Sequence, residues 1–372
     1  MKTILSSLLI FAVLAPVNYN WDAVPKDHSI YHSEDYRGKH TRKKKIQKEF
    51  KVSERSNLKI NNSYGNIDIT SWEENRVVIE VIITTNGDNL ENVEEKLRDI
   101  HIDFNQSASG VSAKTQFNRE ERAWWKNIFD SSNNVNMEIN YIVRVPVGNN
   151  LDLDNDYGGI YLDKTTGNTK ISCDYGKLDI GELRGKYNEL SFDYTRNSKI
   201  GYITQATIDA DYSDYEVEEA KKLNINADYS NSRISKVERL EFNCDYGSIE
   251  IGKVKILEGN GDYLSTRINR IFEVADLNLD YGSLKIDKLV KGVSRIDIDT
   301  DYAGIKLGYD RELAFNFNVN SSYGNIRGTE DLNVKMNDKG TTTHKVSGSY
   351  GSGNAAEISI SSNYGNVNFI KQ

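Results

Sequence analysis

The chain has 372 residues, 38% of them apolar, only three prolines and a formal net charge of −8. The acidic balance argues against a general nucleic-acid binder, which would present a basic face. The apolar residues recur periodically, which argues against a disordered chain.

Residues 1–20 read as a secretory signal. Lys2 is followed by an apolar run over residues 4–14, broken only by Ser6 and Ser7, and small residues follow it. The run is too short to span a bilayer, which takes about 20 residues. An exported protein without a transmembrane span is therefore expected, in the periplasm, on the outer surface or secreted. Residues 21–56 form a polar leader with a basic knot of Lys39, Arg42, Lys43, Lys44, Lys45, Lys48 and Lys51. Such a run is expected to be a solvated face or flexible leader, with contact to an acidic glycan or lipid headgroup as the alternative.

Residues 57–148 are expected to hold a first coil and an N-terminal α+β cap. Ser63-Tyr64-Gly65 is flanked by Leu58, Ile60, Ile67 and Ile69, an alternation on both sides of a tight turn. Residues 76–85 read as a strand and Asn86-Gly87 as a turn. Asp88 with Glu91 resembles a capping box, and Leu90, Val93, Leu97 and Ile100 fall at helical spacing, so a short helix is expected over about residues 89–100. Residues 102–104, 111–117 and 137–145 read as further strands. Between the last two stand Trp124 and Trp125 among Arg119, Arg122 and Lys126. These tryptophans are a candidate ligand contact, for a sugar ring or a membrane interface. The alternative is packing of the cap onto the body.

From residue 149 to 310 the chain repeats. Asp-Tyr recurs at Asp156-Tyr157, Asp174-Tyr175, Asp193-Tyr194, Asp211-Tyr212, Asp228-Tyr229, Asp245-Tyr246, Asp262-Tyr263, Asp280-Tyr281 and Asp301-Tyr302. Ser63-Tyr64, Ser322-Tyr323, Ser349-Tyr350 and Asn363-Tyr364 are variants. From Tyr157 to Tyr281 the steps are 18, 19, 18, 17, 17, 17 and 18 residues. The positions six, four and two before the tyrosine are mostly apolar, as in Leu223/Ile225/Ala227, and in several repeats those three and five after it are aliphatic, as in Ile249/Ile251. A fixed unit of this length with corners of one composition implies one repeat per coil of a parallel β-solenoid. Beyond Tyr281 the steps become 21, 21, 27 and 14. Residues 311–372 are therefore expected to be irregular coils and a C-terminal cap, with an excursion or hairpin over 330–345.

Cys173 and Cys244 each lie two residues before a repeat tyrosine, four repeats apart. Stacked coils would separate them by about 4 × 4.8 Å, roughly 19 Å, and a disulfide needs Cα atoms within about 7 Å. Both are expected to be small buried fillers. At the corner itself, alternation puts the tyrosine on the aliphatic face and the aspartate outside. The following Gly suits a positive φ. The carboxylate is placed to accept amides of the turn just beyond it. Stacked carboxylates repel by roughly 1 kcal/mol per pair in water, so either turn capping or a row of cations such as calcium would hold them.

The five histidines, His28, His32, His40, His101 and His344, lie outside the regular repeat. No nucleophile triad, zinc spacing or phosphate loop is present. Carboxylates recur in every repeat, so no pair stands out for glycoside chemistry. No catalytic residue, metal site or cofactor is expected.

The segments KKKIQKEF, INNSYGNIDITSW and VSAKTQF, with the NDYGG, CDYGK, CDYGS and LDYGS corners, resemble the DUF4097-type "putative adhesin" family of Bacteroidota. The resemblance runs from about residue 43 to the end. It implies an exported β-solenoid of short repeats and carries no catalytic residues. The expectation is thus a mainly β protein: a parallel β-solenoid (β-helix) of 17–21-residue coils with a small N-terminal α+β cap. It is expected to act as a non-catalytic, adhesin-like or structural envelope module contacting an envelope glycan or protein. The alternatives are a polysaccharide-active enzyme and a calcium-stabilised surface solenoid.

Overall fold

The computed structural model describes residues 38–118, 135–352 and 355–372. The segment read as a signal, the first part of the expected leader, and Trp124 and Trp125 lie outside the described residues. The rest is mainly β: 26 strands in one large, mostly parallel sheet and one helix, among the described residues.

The most regular part is built from Ser198–Asp209, Asp214–Asp228, Asn231–Asp245, Gly247–Asp262 and Leu264–Asp280. Each pairs with the next in parallel and in register, mostly 17 residues apart. One repeat therefore lies on the next as a rung. Like positions form columns: Val217, Ile234, Ile251 and Ile268 are stacked and fully buried. Between Val254 and Ile256 the register shifts, which absorbs the extra residue where the tyrosine step returns from 17 to 18.

Columns also adjust volume. Phe242 pairs with Gly259 in the next rung, and a Cβ on Gly259 would stand 2.2 Å from the Phe242 ring. The large ring fills the space that the glycine leaves. Cys173 and Cys244 are free and buried, as their register requires. Burial pushes both thiols up to about 12, so neither is a reactive thiolate at neutral pH.

At the N-terminal end the Tyr64 rung, Asn57–Ser63 and Ile67–Trp72, lies directly on the Tyr157 rung, Asn150–Asp156 and Ile160–Thr165. The chain between them covers the outer edge. Gly110–Phe117 adds in parallel to Asn57–Ser63 and pairs antiparallel with Ile100–Ser107. Val135–Pro146 adds to Ile67–Trp72, then Arg76–Gly87 and His40–Lys51 follow antiparallel. The helix Leu90–Asp99 starts at Asn89, whose side chain accepts the Asn92 N–H. The cap is thus one residue later than the Asp88 box read from the sequence. The helix is tied in through Val93, buried, whose carbonyl accepts the Thr85 hydroxyl at 3.0 Å.

Apart from Lys39, the basic knot lies in His40–Lys51, an edge strand paired on one side among the described residues, so it is a solvated strand face rather than a flexible leader. Lysines on an edge discourage further strand addition, and Lys45 also meets Glu80 at 2.7 Å.

The other end departs further from the sequence reading. The last residues do not form the cap. Ala356–Asn363 is inserted between Arg295–Asp301 and Phe315–Ser322. Val367–Lys371 is inserted between Gly304–Tyr309 and Ile326–Arg327. The outermost parallel rung is that of Tyr323. It is closed by the antiparallel hairpin Asn333–Lys339 and Thr343–Tyr350, laid on Phe315–Ser322. Tyr350 sits in this hairpin against Tyr309 and Phe315, so Ser349-Tyr350-Gly351 is not a corner of the repeat. A parallel edge carries unpaired amides and carbonyls, and antiparallel strands satisfy them at both ends.

Two outcomes test this packing. Phe242→Ala should cost about 3–5 kcal/mol and Gly259→Leu about 1–3 kcal/mol in urea unfolding. The double variant should cost less than the sum of the two. Removal of residues 355–372 should strip hydrogen-exchange protection from residues 315–350 while protection of residues 214–280 persists.

Candidate functional site

The corners bring all nine Asp-Tyr pairs of the sequence into two columns. The tyrosine column holds twelve rings, in the spatial order Tyr64, Tyr157, Tyr175, Tyr194, Tyr212, Tyr229, Tyr246, Tyr263, Tyr281, Tyr302, Tyr364 and Tyr323. Neighbouring centroids are 4.6–5.3 Å apart and the planes agree within 10°. The edge of Phe117 covers Tyr64 at 6.3 Å. At the far end Tyr323 is 61% exposed, the most exposed ring of the column.

The rings point outward, contrary to the alternation read from the sequence. The reason is in the backbone. Every one of these tyrosines has a φ between 51° and 64°, the left-handed region. A left-handed residue breaks the two-residue alternation, so the tyrosine that should have faced the core swings to solvent. The glycine after it does not take the positive φ. At Gly158 the need is close approach: a Cβ would stand 1.9 Å from the Gly65 carbonyl oxygen.

Left-handed backbone costs a side-chain-bearing residue about 1–2 kcal/mol. Each ring recovers about 0.5–1.5 kcal/mol per stacked neighbour. The two are of similar size, so tyrosine persists where the backbone alone would favour glycine. Stacking hides the ring faces and leaves the phenol edges at the surface. The phenols of Tyr175, Tyr212 and Tyr246 are raised above 10, first by desolvation and then by their tyrosine neighbours.

Six of the nine aspartates bond to the next rung rather than to their own turns. The Asp193 N–H donates to Asp174 Oδ1 at 3.3 Å, and the same bond joins Asp211 to Asp193, Asp228 to Asp211, Asp245 to Asp228, Asp262 to Asp245 and Asp301 to Asp280. Each of these six carboxylates thus links its rung to the next. Backbone bonds run beside them, such as Tyr229 N–H to the Asp245 carbonyl at 2.9 Å. Like charges still stand one rung apart. Asp156, Asp193, Asp228 and Asp262 have raised carboxyl values, first from burial and then from the flanking aspartates. The column ends in neutral residues. Asn363 lies beside Asp301 and donates to its Oδ1 at 2.7 Å.

Among the described residues, no group of three or more His, Cys, Asp or Glu is arranged to hold a metal ion. His344 is buried, with Nε2 3.0 Å from the Asn337 amide oxygen and Nδ1 accepting the Ile326 N–H at 3.4 Å. This position ties the hairpin to the last rung. Sequence reasoning does not single out the outward residues four after most of the tyrosines, or five after Tyr194. They also form an in-register column, and the repeat spacing alone is the signal that locates it.

No family model matches the chain, and no curated protein matches it. Solved structures similar to it include two named for adhesion. One is a "putative cell adhesion protein" from Clostridium sporogenes, 12% identical, with a TM-score of 0.20 over 89% of this chain and 100% of that one. The other is a "putative adhesin" from Parabacteroides distasonis, 10% identical, with a TM-score of 0.30 over 88% of this chain and 97% of that one. At these TM-scores the likeness carries no argument about this chain.

Two measurements bear on the columns. Tyr229→Ala should destabilise by about 1–3 kcal/mol, and Tyr229→Gly by about 1 kcal/mol less, because glycine relieves the left-handed backbone. Equal losses in urea unfolding would remove the strain account. For the carboxylates the sign follows from linkage. A carboxyl raised on folding stabilises fully below its unfolded value, and that contribution is lost as pH rises through the folded value. Asp228→Asn keeps an acceptor for the Asp245 amide and removes the charge. It should raise the melting temperature at pH 7 and lose that advantage towards pH 4.

Proposed function

We propose that this protein is an exported, non-catalytic β-solenoid that serves the cell envelope as an adhesin-like binding or structural module. In this reading residues 1–20 are the signal, the chain to residue 148 supplies the first coil and cap, and residues 149–310 are the regular body. One observation carries the binding part. Twelve phenol edges stand at constant spacing on a backbone whose every rung is locked to the next. Such a rigid strip favours many weak, repeated contacts to a long partner over capture of one small molecule. Among the described residues, no helix is long and apolar enough to cross a membrane.

A calcium-stabilised solenoid is the second reading, favoured by the column of nine aspartates. It has to accommodate the carboxylate oxygens already engaged by amides of the next rung. Chelator should then lower the melting temperature, and an unchanged value excludes this reading.

The main reading is tested with isolated envelope from a Bacteroidota bacterium. The mature protein should be retained on it. The triple variant Tyr229→Gly, Tyr246→Gly, Tyr263→Gly should keep its β-rich circular dichroism and lose retention. Undiminished retention of the variant would remove the tyrosine column from the binding surface.

A further inference from the structure

The outward residues four after most of the tyrosines, and five after Tyr194, carry a charge pattern that breaks. Lys199, Glu216, Arg233, Glu250 and Arg267 are in-register neighbours in successive rungs. Their signs alternate, so each charge lies beside its opposite, as in the Arg233–Glu250 pair at 3.3 Å. The alternation then stops. Arg267 is followed in register by Lys285 and Lys306, then by Asn368 and Arg327.

Like charges one rung apart are unfavourable unless something offsets them. Asp287 partly does so for the first two, with Arg267 at 3.0 Å and Lys285 at 2.8 Å. Lys306 and Arg327 are exposed and have no carboxylate partner among the described residues. They stand on a chain whose net charge is −8. Beside these cations runs a line of small or polar residues, Ser265, Ser283, Gly304 and Asn366. Together they line a cleft of about 550 Å³ that has no carboxylate in its lining. Each of these four residues follows a column tyrosine by two places.

We propose that this strip binds an extended acidic polysaccharide, a chain of uronic acids laid along the stacking axis. Carboxylates of the sugar chain meet Lys306 and Arg327, and sugar hydroxyls meet Ser265, Ser283 and Asn366. The inference rests on the binding-module reading and names its partner. The cations stand in a single file, which suits one thin chain rather than a lipid surface. Single-stranded nucleic acid is disfavoured because its bases bind by stacking on open aromatic faces. Here the neighbouring rings spend their faces on one another.

The test is calorimetric titration of the mature protein with polygalacturonate, a neutral glucan and a single-stranded oligodeoxynucleotide. Polygalacturonate should bind, more weakly at higher salt, and the other two should not. The double variant Lys306→Gln, Arg327→Gln should weaken binding about tenfold with an unchanged melting curve, since both side chains are exposed. Arg233→Gln, in the alternating half, should bind like the parent. Equal binding by the double variant, or equal affinity for the glucan or the oligonucleotide, overturns the proposal. No polygalacturonate binding together with intact envelope retention overturns this inference alone. Loss of both overturns the module reading as well.

Discussion

The left-handed tyrosine at each corner is the constraint from which the other features follow. It turns the strand, ends the alternation and throws the phenol outward. A single such residue is a local strain of about 1–2 kcal/mol. Repeated at every rung it becomes tolerable, because each ring meets the next at about the strand spacing. The corner is therefore stable as an array, and an isolated repeat would lack the stacking that offsets its backbone.

In-register parallel stacking sets like beside like, with opposite consequences for different side chains. Aliphatic columns gain, since identical branched residues pack at the same height. The aspartate column is penalised by its own charge, which the raised carboxyl values express, and offsets this through amide bonds between rungs. The column four residues after the tyrosine avoids the problem by alternating sign, until Arg267. Where a column departs from the rule its physics demands, the departure marks a place to look for a partner.

The two ends meet the same requirement differently. The first end uses the chain between Tyr64 and Tyr157, with antiparallel strands and one helix. The second tucks the last strands between existing rungs and finishes with a hairpin. Both ends replace an open parallel edge with antiparallel strands, and the N-terminal edge strand carries lysines.

Much of this was legible in the sequence. The tyrosine steps located the rungs, the register of Cys173 and Cys244 placed them apart, and the spacing of Leu90, Val93 and Leu97 found the helix. These are local periodicities, and period translates directly into pairing. The direction of the tyrosines was not legible, because alternation assumes extended backbone and the left-handed residue violates it. The partner of each aspartate, the insertion of Ala356–Asn363 between earlier strands, and the meeting of Lys306 with Arg327 across Asn368 were not legible either. Each joins rungs through contacts that sequence distance does not encode. The sequence by itself determined the repeat and its columns. Only the tertiary structure decided which face each column presents and in what order the last rungs stack, because both depend on backbone handedness and on edge hydrogen bonds that only neighbouring rungs can supply.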